Sequence, residues 1–153
     1  MRRVSHVGGE SIIAVLAVFF LAVLFGCSSN PTAVTSDPLA KVRLERLLKF
    51  YKMYTNQKKK PPPNEQAFKE FIQNLPADEK EAAGLTGDVD SFLISPGDGQ
   101  KYHFEYGLTP NPSQSRALAW EQNGQDGMRY VALTMGYVQR YNEEDFQNYK
   151  KKK

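Results

Sequence analysis

The chain has one cysteine, Cys27, and only two histidines, His6 and His103. A lone thiol excludes an intrachain disulfide, whatever compartment the protein folds in. Structural zinc requires about four Cys or His ligands, and the sequence beyond residue 27 offers one histidine. A Ser-His-carboxylate mechanism needs a nucleophile and an orienting acid within reach of that histidine, and no Gly-x-Ser-x-Gly elbow is present. No glycine-rich loop stands between a strand and a helix, so phosphate cradling has no scaffold, and no cofactor is expected. Strong charge is also missing: the formal net charge is +3, and four of the basic residues are Lys150 to Lys153. Near neutrality leaves no broad basic surface for nucleic acid. No internal repeat is visible, so solenoids and propellers are excluded.

What the sequence does have is an apolar run, Ile12 to Phe25, of 14 residues. As a helix rising about 1.5 Å per residue it reaches roughly 21 Å, short of the roughly 30 Å hydrocarbon core of a bilayer. Arg2 and Arg3 supply a positive start, the run has the length of a signal h-region, and small Gly26 follows it. Leu24-Phe25-Gly26-Cys27 resembles the lipobox of bacterial lipoproteins. The resemblance implies that residues 1–26 are a signal peptide, and that Cys27 carries acyl chains of the palmitate type. Ser28 stands where that family places an inner-membrane retention Asp. This implies a lipid-anchored protein of the cell envelope, on the periplasmic side of the outer membrane. The alternative is an uncleaved signal anchor with Cys27 at its end. A prepilin leader is excluded, because Glu10 and Ala14 occupy positions where that family has Phe and Glu.

Residues 27–37 are polar and punctuated by Pro31, the composition of a flexible tether. The folded domain is expected over 38–149, with a basic tail at 150–153. Asp37-Pro38 reads as an N-cap with proline at the first helical position, and Leu44, Leu47, Leu48, Tyr51 and Tyr54 recur at helical spacing, which predicts a helix over 38–56. Pro61-Pro62-Pro63 stop it. Asn64 caps a second helix with Phe68, Phe71, Ile72 and Leu75 on one face, and a short turn from Asp78 ends at Gly84.

From residue 92 the apolar period changes to two. Tyr102, Phe104 and Tyr106 share one strand face, while Lys101, His103 and Glu105 share the other, making His103 a solvent-facing residue. Leu118 is grouped with Trp120, and Val131 with Leu133. Asn123 to Gly127 and Met135-Gly136 have turn chemistry. The expected fold class is α+β: an N-terminal helix packed on one face of a small antiparallel β-meander, with short additional helices. Asn142 to Asp145 open the last helix, with acids at its start and lysines at its end.

This order of helix, proline break and Asn64-led helix, followed by Ser95-Pro-Gly-Asp-Gly-Gln-Lys-Tyr102 and Arg129 to Val138, looks like the globular domain of bacterial type II secretion pseudopilins. The resemblance implies a fold over about residues 38–146. It does not imply filament assembly, because Pro31 and Pro38 interrupt what a pilin keeps as one helix. Chemistry-bearing residues are sparse. Asp88-Val-Asp90 begins like a calcium loop, but Phe92 replaces the third oxygen donor, so no metal site is expected. The expectation is a non-enzymatic interaction or accessory component, with Tyr137 and Tyr141 exposed on the meander as its contact surface. Its partners would be the membrane, through lipid on Cys27, and another envelope protein. No nucleic acid or small-molecule substrate is indicated. The alternative is a small exported hydrolase using paired carboxylates.

Overall fold

The structure, a computed structural model, describes residues 38–151. Helix α1 spans Leu39–Lys58, and its apolar stripe is buried as the spacing predicts: Leu44, Leu47, Leu48, Tyr51 and Tyr54 face inward, joined by Phe50. Burying each such side chain contributes about 1.5–3 kcal/mol. The helix runs two residues further than expected and closes on Lys59 in the left-handed conformation (φ 57°), just ahead of the prolines. Its start differs from expectation. Pro38 occupies the N-cap position, and no side chain caps the first turn. The expected cap, Asp37, lies outside the described residues, as do the tether and the apolar run.

Helix α2, Glu65–Gln73, begins where Asn64 accepts the Ala67 amide (2.9 Å) and buries Phe68 and Ile72 against α1. Two short helices follow, α3 at Ala77–Ala82 and α4 at Val89–Phe92. Between them Gly84 turns with φ 75°, and its carbonyl accepts the Arg46 guanidinium (3.0 Å), which binds this loop to α1. The chain then forms β1 (His103–Phe104), β2 (Ala117–Trp120), β3 (Met128–Leu133) and β4 (Val138–Asn142), antiparallel in sequence order, and ends in α5, Glu143–Lys151. Asn142 caps α5 by accepting the Asp145 amide (2.8 Å). The α+β meander is the expected fold. The basic tail starts later than expected, since α5 carries Lys150 and Lys151.

The sheet is covered on both faces, whereas the sequence pattern had α1 covering a single one. Tyr102, Phe104, Leu118, Ala119, Ala132 and Val138 pack with α1 and α2. Ala117, Trp120, Val131, Leu133 and Tyr141 pack on the opposite side with Phe146 and Tyr149 of α5. The grouping of Leu118 with Trp120 is therefore wrong. The register passes from Ala117↔Leu133 to Ala119↔Ala132, so β2 contains a bulge, and Leu118 and Ala119 both serve the α1 face. Period-two reasoning holds only where no extra residue interrupts the ladder. In β3 it does hold: Val131 and Leu133 share a face, but that face belongs to α5.

Candidate functional site

The sequence-based site residues do not come together. Cys27 lies outside the described residues. Tyr137 is exposed (44%) beside the β3–β4 turn, where Gly136 takes a positive φ of 101°. Tyr141 is not exposed: its ring packs against Tyr149 (4.7 Å between centroids) in the α5-side core, and its hydroxyl donates to Gln139 Oε1 (3.2 Å). Burial, followed by the Tyr149 hydroxyl, holds its pKa well above the ordinary tyrosine value. The shared Tyr137–Tyr141 surface is thus withdrawn, because α5 covers the face on which Tyr141 lies. His103 is exposed as expected, yet its ring stacks on Trp120 (4.3 Å, 25°) and shields that indole from solvent. The Asp88–Asp90 segment is a helix start: Asp88 accepts the Ser91 amide (3.0 Å), and Asp90 pairs with Lys69. Among the described residues no three His, Cys, Asp or Glu side chains converge as a metal site.

A different group was missed in the sequence. Glu121 follows directly on β2 and is almost fully buried (2% exposed). Its Oε1 accepts the hydroxyl of fully buried Ser95 (2.6 Å), and its Oε2 accepts the Tyr130 amide (2.8 Å). A Cβ at position 97 would collide with Oε1 and press on Ala40 (3.3 Å), so only glycine lets the 95–100 loop approach the glutamate so closely. Asp98 fastens the same loop to the β2–β3 turn by accepting the amides of Asn123 (2.8 Å) and Gly124 (3.1 Å), besides that of Gln100 (3.0 Å). Partial burial works to raise its pKa, and these amides outweigh that, holding the carboxyl below its ordinary value.

These fixed loops and the first turn of α1 enclose a cleft of about 320 Å³, with Glu121 and Asp126 in its lining, Leu39, Pro96 and Met128 as apolar wall, and Arg140 beside Tyr130. Pockets for small ligands run from roughly 300 to 1,000 Å³, so this cleft has room for a side chain rather than a large cofactor. The sequence carried one signal for it, a charged residue at the end of the otherwise apolar Ala117-Leu-Ala-Trp120. Read by alternation alone, Glu121 passes for the polar start of a turn.

Among the described residues no helix is long and apolar enough to cross a membrane. Comparison with protein-family models, with curated proteins and with solved structures finds no match to this chain.

Proposed function

We propose that the protein is a lipid-anchored, non-enzymatic interaction component of the bacterial envelope, held at the membrane by acyl chains on Cys27, with a place in a secretion-related assembly. The observation that supports this best is in the sequence, where the positive start at Arg2 and Arg3, an apolar run of signal length and the Leu24-Phe25-Gly26-Cys27 quartet stand in order ahead of the folded domain. In that domain helices cover both faces of the sheet, and the described residues build two apolar cores. Two or more acyl chains on Cys27 would anchor stably, since each buried methylene contributes about 0.8 kcal/mol. The meander behind a long helix is also what the pseudopilin resemblance leads one to expect.

The test is intact-mass analysis of the protein from native membranes, alongside Cys27→Ser. Mature wild type should begin at Cys27 and carry acyl mass, and the variant should carry none. An unmodified Cys27 in a full-length chain would end the lipoprotein reading. Chemical crosslinking in native envelopes addresses the interaction role, which requires at least one specific protein adduct.

The hydrolase reading keeps one observation in its favour, the presence of Glu121 and Asp126 in a single cleft. Against it, both Glu121 oxygens already accept hydrogen bonds from the fold, which suits a loop clamp better than a proton carrier.

A further inference from the structure

Glu121 is a buried carboxylate that forms no ion pair among the described residues. Removing such a group from water costs several kcal/mol unless charge or donors replace the hydration. Here the replacement is neutral: one hydroxyl and one backbone amide. The uncapped first turn of α1, which shares the cleft, adds only the fractional positive charge of a helix end. Two arginines stand near the site, Arg140 in the cleft lining itself, and each is bound to groups other than the Glu121 carboxylate. Arg129 donates to the backbone carbonyls of Glu121 and Gln122 and pairs with Glu143. Arg140 donates to the Gln125 carbonyl (3.1 Å) and lies over the Tyr130 ring (5.9 Å). Among the described residues no Lys, Arg or His nitrogen comes within 4.0 Å of the Glu121 carboxylate. Each carboxylate oxygen has about two acceptor positions, so both retain capacity for another donor.

The cleft that Glu121 lines is apolar along Leu39, Pro96 and Met128 and carries two acids, Glu121 and Asp126, against one base, Arg140, whose guanidinium is held by the Gln125 carbonyl. That arrangement complements a side chain with an aliphatic stem and a cationic head. We propose that the cleft receives a lysine or arginine side chain of a partner protein, with Glu121 as its counter-charge. This deepens, and rests on, the reading of the protein as an interaction module. It assigns the recognition to the end of the domain where α1 begins, away from the surface first expected around Tyr137.

The test uses the full ¹⁵N-labelled chain in detergent micelles, with N-acetyl-lysine methylamide as probe. N-acetyl-norleucine methylamide serves as its neutral counterpart, and inorganic phosphate probes for an anion site at the α1 first turn. The lysine probe should shift the Gly97, Glu121 and Gln125 amides saturably, with a dissociation constant of about a millimolar for a ligand this small. Glu121→Gln should weaken it at least about tenfold, as should loss of a charge-assisted bond in general. Leu39→Lys, at an exposed position (58%) in the cleft wall, leaves the core untouched and should compete with the probe several-fold. Equal shifts with norleucine, a response to phosphate alone, or no saturable shift in the folded wild type would overturn the proposal. Specific crosslinks that persist when the probe fails would sink this cleft and leave the interaction role standing. Probe binding by a protein with unmodified Cys27 would sink the lipid anchor alone.

Discussion

The two faces of the sheet are built by different means. The α1 face holds a network of rings, in which Tyr51 packs on Phe68 (5.7 Å) and stacks on Phe104 (6.2 Å), and Phe68 packs on Phe104 (5.5 Å). Three of the helices contribute to it. The α5 face is small: one helix of nine residues, with Phe146 its only fully buried side chain, closes over Trp120. Long charged residues complete that closure. Lys150 lies over the Trp120 ring (5.3 Å), and Arg129 lies over Phe146 (4.5 Å) while pairing with Glu143. A core of interlocking rings fails as a unit, whereas a core closed by one short helix can open locally.

That contrast can be broken most directly on the α1 side. Phe68→Ala should cost about 3–5 kcal/mol, because a fully buried ring with three aromatic neighbours leaves a cavity the surroundings cannot fill. Denaturant melts read by circular dichroism should show the whole domain destabilised, and loss confined to α2 would contradict the unit-like behaviour. Phe146→Ala should have a smaller global effect, about 3 kcal/mol at most, because α5 can detach before the rest unfolds. Hydrogen exchange should then show faster exchange in α5 with protection retained in α1. Uniform loss across both helices would erase the distinction between the faces.

Alkaline titration sharpens the comparison further. Tyr51, Tyr102 and Tyr106 on the α1 side have pKa values raised above the ordinary tyrosine value, chiefly by burial. Tyr141 on the α5 side is raised by burial and by Tyr149. In each case the native state keeps a proton that the unfolded chain releases near pH 10. Stability is therefore fully present below that pH and declines as pH rises above it. Tyr51, Tyr102 and Tyr106 should contribute tyrosinate absorbance only with global unfolding. A single stage coinciding with the ordinary tyrosine titration would refute their burial. The smallest effect belongs to Lys150→Gln, about 0.5–1 kcal/mol from loss of the cation over Trp120. It should red-shift Trp120 emission only slightly, and a shift to the fully hydrated value would mean that the lysine, not Phe146, closes this core.

Legibility from sequence followed the same division. The α1 face was readable because its stripe, Leu44 to Tyr54, has the helix period, and the Asn64 cap and the proline run are local signals. The turns were readable for the same reason. The α5 face was not, because a four-residue strand offers too few positions to reveal a bulge, and a final helix with one buried phenylalanine gives little sign of which surface it seeks. Glu121 escaped for a related reason. What distinguishes it is enclosure by Ser95, Gly97 and Tyr130, residues that become its neighbours only when the chain folds.

The bulge at Leu118 and Ala119 makes the length of β2 a matter of parity. Surface loops accept insertions of one residue or several, since closure entropy changes slowly with length. Between Ala117 and Trp120 the bulge sets two residues on the α1 face where a regular ladder has one, so losing either leaves Ala117, one α1-side residue and Trp120 in plain alternation. Trp120 would keep its place against His103 and Phe146, and Glu121 its bond to Ser95. The same deletion between Met128 and Ala132 of β3, where the ladder is regular, has no surplus residue to remove and would exchange the two faces for the side chains beyond it. Strand β2 thus carries one spare residue and β3 none, so the sheet tolerates a shortening in one of these neighbours and not in the other.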